Sequence, residues 1–118
     1  MKALLSKATG GPETLVLEEI ADPVAGAGEI LVAIKACSVN FPDVLVIEDK
    51  YQFRPERPFS PGSEIAGVVE ALGPGVTDFK IGDRVIAVTG HGGLVETVAV
   101  PAASAYKLPP EQIGRAHV

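Results

Sequence analysis

Few side chains of this sequence combine the type and spacing that chemistry needs, and most fall between residues 37 and 64. Asn40 and Asp43 stand three residues apart in Ser38-Val39-Asn40-Phe41-Pro42-Asp43. An amide there can hydrogen-bond a ligand, or accept from backbone N–H groups two or three residues on and cap a helix. Pro42 in the first turn forfeits no needed donor, and the charge of Asp43 suits the positive end of the helix dipole. Tyr51 lies in a polar loop, Asp49-Lys50-Tyr51-Gln52, where an amphipathic ring either reaches a ligand or covers the fold. Glu64 opens an apolar run, and a carboxylate there suits an arginine partner, Arg57 or Arg84. Cys37 is the one cysteine, which excludes an intramolecular disulfide and a multi-cysteine zinc site; it reads as a small strand residue. His91 sits among glycines and reads as a solvated turn residue. No residue is assigned a catalytic role, and no metal site is expected.

The elements that must position these groups are mostly strands. Thr14 to Ile20 alternates, as does Glu29 to Cys37, where Ile30, Val32, Ile34 and Ala36 share one face. Ser63 to Leu72 sets Ile65, Gly67, Val69 and Ala71 against Glu64, Ala66, Val68 and Glu70, and Gly73-Pro74-Gly75 ends it. Further strands are predicted over Arg84 to Val88, Leu94 to Val100 and Ala105 to Leu108, with Gly82-Asp83 and Gly90 to Gly93 as turns. Only Phe41 to Asp49 reads as helix. Gly62, Gly67, Gly73 and Gly82 are read as backbone requirements. Short strands at this density predict a mainly β fold, a closed or partly open antiparallel barrel with one short helix.

Composition sets the outer limits. A chain of 118 residues is one domain, burying about two thirds of its unfolded surface. Hydrophobic residues at 47% and charged residues at 21% exclude a disordered chain. Thirteen glycines and ten prolines, without a period, mark a turn-rich protein. Ten Lys and Arg against fifteen Asp and Glu, a net charge of −5, disfavour a nucleic-acid partner. Uncharged runs fall far short of a membrane span. Lys2 and Lys7 flank too short an apolar stretch for a signal peptide. The expectation is a cytoplasmic protein with neither nucleic-acid nor membrane partner.

Two longer segments carry a resemblance. One runs Pro61-Gly62-Ser63-Glu64-Ile65-Ala66-Gly67-Val68-Val69-Glu70-Ala71-Leu72-Gly73, then Val76 and Gly82-Asp83-Arg84-Val85. The other is Ser38 to Asp43, leading to Tyr51 and Arg57-Pro58-Phe59. With Gly28-Glu29-Ile30-Leu31-Val32, they resemble the medium-chain dehydrogenase/reductase superfamily over residues 1–111, and within it the zinc-independent quinone oxidoreductase, or zeta-crystallin-like, group. The resemblance implies an amino-terminal GroES-like domain, a partly open β-barrel carrying the substrate side of an active site. In that superfamily a Rossmann domain follows and binds NADPH through its own glycine-rich loop. Here only Gly90-His91-Gly92-Gly93 approaches such a loop, and it leads into a strand pattern instead of a helix. The Rossmann domain is therefore expected to be absent from this chain, which alone would hold no cofactor and be inactive.

The same resemblance addresses zinc. Zinc-dependent relatives place a cysteine ligand where Asn40 stands and a histidine where Ser63 stands, just before the shared Glu64. Neither Asn40 nor Ser63 suits zinc, so hydride transfer would rest on positioning and on hydrogen bonds to developing charge. Asn40 and Tyr51, with Asp43 beside them, are implied to line the cleft of cofactor and acceptor. Gly62, Glu64, Gly67, Gly73, Gly82 and Asp83 are the structural motif. The implied function is the substrate side of an NADPH:quinone oxidoreductase, homodimeric when whole, acting on quinones or activated alkenes. The alternatives are an enoyl reductase fragment, given a similar Val39-Asn40-Phe41-Pro42-Asp43 segment, and a non-enzymatic GroES-like binding module.

Past Pro110 the resemblance stops. Ile113-Gly114-Arg115-Ala116-His117-Val118 is what one frame of a widely used short-read sequencing adapter encodes. Residues 112–118 are therefore expected to be a non-native tail.

Overall fold

A computed structural model describes residues 1–52 and 54–109; the tail expected at 112–118 lies outside the described residues. Seven strands and one helix are seen there: β1 (Lys2–Ser6), β2 (Leu15–Glu19), β3 (Glu29–Ser38), α1 (Phe41–Ile47), β4 (Glu64–Leu72), β5 (Arg84–Val88), β6 (Thr97–Pro101) and β7 (Ala105–Lys107). β1 and β2 form an antiparallel ribbon, and the other five form an antiparallel sheet in the order β6-β3-β4-β5-β7. The ribbon joins the sheet region through isolated bridges, Ala3 with Val95 and Ser6 with Phe59. The fold is mainly β and the sheets are not closed, in keeping with a partly open GroES-like architecture. The described residues contain no helix long and apolar enough to cross a membrane.

Alternation along β3, β4 and β5 places Ile30, Val32, Ile65, Val69 and Val85 in one apolar core with Phe79 and Val100. A second cluster, Val46, Ile47 and Phe59, seats α1. At Gly67 the backbones of β4 and β3 approach so closely that a Cβ would collide with the Ala33 carbonyl.

One face assignment changes. β3 pairs Ile34 with Gly67 but Ala36 with Ala66, which leaves Lys35 as an extra residue. A bulge shifts the side-chain phase by one. Ala36 is therefore exposed rather than sharing the face of Ile30 and Val32, and Cys37 turns in to pack against the core. The bulge thus decides what the end of β3 presents to α1. It also leaves Ser38 directly opposite Glu64. The terminal stretch Lys2 to Ser6, which the sequence reading left without an element, forms β1.

Candidate functional site

The site is assembled where β3 ends, β4 begins and α1 starts. Ser38 is the last residue of β3 and Glu64 the first of β4, so their side chains are cross-strand neighbours. The Ser38 hydroxyl donates to Glu64 Oε1 at 2.8 Å. Two residues on, Asn40 takes an extended conformation (φ −122°, ψ 163°) at the N-cap of α1. Its Nδ2 donates to Glu64 Oε1 at 2.7 Å and to Ser38 Oγ at 3.1 Å. The three polar side chains form one closed triangle.

The start of α1 is held from the other side. Asp43, only 6% exposed, accepts from the Asn40 backbone N–H at 2.8 Å. This is the reciprocal half of a capping box. The Asn40 side chain supplies the other half of the box, accepting from the Asp43 backbone as expected of a cap, while its Nδ2 is turned toward Glu64.

The expected arginine partner of Glu64 is not Arg57. That guanidinium goes elsewhere, to Asp49 Oδ1 at 2.9 Å, the Ile47 carbonyl at 2.8 Å and Ser6 Oγ at 3.2 Å. Arg84 lies at the far end of the β4–β5 pairing, opposite Val68, whereas Glu64 faces Val88. Hydrogen bonds from Ser38 and then Asn40 hold the Glu64 carboxyl below its ordinary range. Among the described residues, neutral hydrogen-bond donors and not a cation hold the Glu64 carboxylate in place.

Beside this triangle runs an open groove of about 550 Å³, lined by Cys37, Ser38, Glu64, Ile86, Val88 and Tyr106 among others. Its walls are mostly apolar, and its lining includes Ser38 and Glu64, the two side chains that bind the Asn40 amide. Val88 and Tyr106 are 64% and 65% exposed. Cys37 lies at its base, close under Gly62 and Gly93, where an added Cβ on either glycine would come within 2.8 Å of Sγ. Burial first, then Asp43 and Glu64, push the Cys37 thiol up from its ordinary pKa. Among the described residues no three His, Cys, Asp or Glu side chains converge as metal ligands.

Tyr51 is not gathered into this groove. It lies past the carboxy-terminal end of α1 and is 40% exposed. The seven residues of α1 set about 10 Å between Asn40 and the loop that carries it. His91 is half-buried instead of solvated, edge-on to Phe59 with ring centroids 6.0 Å apart, and burial lowers its pKa. Gly62 and Gly82 hold positive φ of 98° and 97°. Asp83 accepts from the Lys80 N–H at 2.8 Å, which closes the turn before β5. Ser38 was not singled out by the sequence reading. The signal available was its place two residues before Asn40 at the end of an alternating run.

The profile of the family "Alcohol dehydrogenase GroES-like domain" matches residues 26–110. The chain is 38% identical over 109 residues to "Synaptic vesicle membrane protein VAT-1 homolog-like" of Mus musculus, covering 92% of this chain and 26% of that protein. It is 38% identical over 111 residues to the quinone oxidoreductase of Homo sapiens, covering 92% of this chain and 34% of that one. Among solved structures, Escherichia coli quinone oxidoreductase complexed with NADPH superposes with a TM-score of 0.88 at 31% identity, over 94% of this chain and 34% of the other. The chain therefore spans about a third or less of the relatives it matches.

Proposed function

Because the chain belongs to the alcohol dehydrogenase GroES-like domain family, on the quinone oxidoreductase side of the medium-chain dehydrogenases/reductases, we propose that it forms the acceptor side of an NADPH-dependent oxidoreductase. That enzyme passes hydride to quinones or activated alkenes without zinc. The observation that carries this reading is the direct Asn40–Glu64 hydrogen bond of 2.7 Å. In zinc-dependent relatives the positions held here by Asn40 and Ser63 carry the cysteine and histidine ligands of the metal. Here an amide replaces the cysteine, a hydroxyl replaces the histidine, and the amide closes onto the shared carboxylate. Cys37 supplies no substitute, since a thiol biased toward its protonated form is a poor ligand.

NADPH, when bound, supplies the hydride. α1 opens on Asn40-Phe41-Pro42 with no glycine turn, and the proline removes a backbone donor, so these residues do not fit a pyrophosphate. They fit the nicotinamide end and the acceptor: a mostly apolar groove for a flat ring, with Asn40 bonded to Ser38 and Glu64 of its lining and Asp43 fixing the backbone that carries it. In this reading Tyr51 reaches the acceptor from the loop after α1, outside the groove described above, and the enzyme works as a soluble cytoplasmic homodimer.

The test is a complete oxidoreductase carrying this domain, assayed with NADPH against quinones, enones and enoyl thioesters, before and after exhaustive chelation. Quinone or enone reduction that survives chelation supports the proposal. Loss of activity restored by zinc overturns it, and preference for enoyl thioesters favours an enoyl reductase instead.

A further inference from the structure

We propose that the open edge of β6 is a strand-addition site for an extended peptide of small apolar residues carrying a lysine or arginine set against Glu56. The surface shares no lining residue with the groove beside Glu64 and does not depend on the oxidoreductase reading. The register of β6 on β3 decides which backbone groups β6 keeps. The Ile34 N–H donates to the Glu96 carbonyl, and the Ala102 N–H to the Gly28 carbonyl. With Ile30 opposite Val100 and Val32 opposite Val98, the N–H and C=O groups of Val98 and Val100 are committed to β3. Thr97 and Ala99 occupy the alternate positions, so theirs point away from β3. β6 is an edge strand of its sheet, and among the described residues neither of these two N–H groups meets an acceptor.

β1 approaches this edge and then parts from it. The Leu4 N–H donates to the Leu94 carbonyl, and Ala3 is bridged to Val95. The same antiparallel step would next set Lys2 against Glu96 and Met1 against Thr97. Instead the Lys2 N–H is taken by the Glu96 carboxylate, and Met1 exchanges backbone bonds with Ile20 beside β2. Where the two strands separate, a groove of about 450 Å³ opens, walled by Leu5, Ile20, Pro58 and Phe59 with Thr97 to Ala99 along one side.

The chemistry of this groove selects its occupant. Thr97–Pro101 carries no charge, so the edge lacks the lysine that deters a partner strand. Glu56 bears the only acidic side chain of the lining. It is exposed, its neighbour Arg57 is turned away to Asp49, and among the described residues it enters no ion pair. The adjoining rim already receives one ammonium group, since the amino terminus lies 3.0 Å from Asp22 and 3.4 Å from Glu19. A basic side chain facing Glu56 completes this pattern, an acidic one is repelled, and small apolar side chains at alternate positions suit the walls. Such a strand runs antiparallel to β6, in line with β1.

The experiment uses the present chain labelled with 15N. Without peptide, the Thr97 and Ala99 amides should exchange faster than those of Val98 and Val100 by about tenfold or more. The probe is an acetylated, amidated heptapeptide of alternating valine and threonine with lysine as its central residue. Its companions are a glutamate counterpart and versions N-methylated along one edge or the other. At millimolar concentration the lysine peptide should shift the Thr97 and Ala99 amides and slow their exchange toward that of their neighbours. Methylation along one edge should abolish both effects. Glu56→Gln, an exposed change, should weaken the lysine peptide by about two- to fivefold and remove its preference over the glutamate peptide. Amides of Thr97 and Ala99 that do not respond overturn the proposal, as does a peptide that binds whichever edge is methylated. Equal binding of the lysine and glutamate peptides overturns it too. Protection of the same two amides that rises with chain concentration alone would give the edge to a second copy instead and overturn the peptide assignment.

Discussion

Arg57 is tied to Asp49 across the carboxy-terminal end of α1, Nη1 to Oδ1 at 2.9 Å, and Asp49 itself holds a left-handed backbone with φ of 58°. The same guanidinium reaches the Ile47 carbonyl and Ser6 in β1 and lies 5.4 Å from the Phe59 ring centre. Thr9 donates to the other Asp49 oxygen at 2.7 Å. A short helix is thereby fastened to the ribbon at the end remote from Asn40.

Arg57→Ala should therefore loosen α1 as a unit. The Ile47 carbonyl keeps its Gly10 N–H at 3.1 Å, so the loss is that of the guanidinium's own hydrogen bonds to Asp49, Ile47 and Ser6, about 1 kcal/mol or more in all, read as a lower urea midpoint. Arg57→Lys should recover only part of it, because an ammonium cannot reproduce the three-way fork. A lysine variant with a wild-type midpoint would show that the fork geometry is dispensable.

At Gly67 the collision is with backbone, which cannot move aside as a flexible side chain does. Gly67→Ala should destabilise by about 1–3 kcal/mol or more and weaken the β3–β4 pairing. Gly75, with φ of 84° and open space around a built Cβ, should lose only the left-handed backbone preference, about 1 kcal/mol on Gly75→Ala. Equal losses at the two sites would mean that close approach is not what Gly67 provides.

Much of this architecture is legible in the residues. Alternation places β3, β4 and β5, and Asn40-Phe41-Pro42-Asp43 marks the start of α1. What fails is whatever depends on pairing between strands. The extra residue at Lys35 has no local signature, yet it exchanges the faces of Ala36 and Cys37. Glu64 invites an arginine in sequence, but the register that sets Ser38 opposite it supplies neutral donors first. Arg57 is drawn instead to a carboxylate eight residues upstream that the helix end presents. Types and spacing announced the polar groups; the sheet register chose their partners.

The pH dependence of stability has a definite sign. Glu64 and Asp49 are held below their ordinary ranges, Asp49 chiefly by Thr9 and then Arg57. Their contributions are present above the unfolded carboxylate range and are lost as pH falls through the lowered folded values. Burial lowers the pKa of His91, so protonation favours the unfolded chain once pH drops below about 6.5. Urea midpoints should decline in two stages on acidification. His91→Gln should remove the upper stage and Glu64→Gln should shrink the lower one. An acid limb unchanged by Glu64→Gln would contradict the hydrogen-bonded carboxylate.

Cys37 should behave as a protected thiol. Burial is the first cause of its raised pKa, with Asp43 and Glu64 behind it, and the thiolate is the reactive form. Reaction with a disulfide reagent near neutral pH should be severalfold slower in the folded chain than in denaturant. Glu64→Gln should speed it only modestly, since burial is retained. Native reactivity equal to that of the unfolded chain would place Cys37 outside the core.

In a complete oxidoreductase carrying this domain, Asn40→Ala and Tyr51→Ala should separate by position. Asn40 is bonded to Glu64 and Ser38 on the lining of the groove, whereas Tyr51 stands beyond the far end of α1. Asn40→Ala should lower turnover, and it carries a helix-start penalty of about 1 kcal/mol as well. That penalty is measured independently from the urea midpoint of the same variant. Tyr51→Ala should act mainly on the apparent affinity for the acceptor, because an exposed ring outside the groove adds binding contact without touching the reacting atoms. Steady-state kinetics at fixed NADPH reads both. If turnover is unchanged in Asn40→Ala while its stability falls, Asn40 serves only the helix, and the groove beside Glu64 is not where hydride is received.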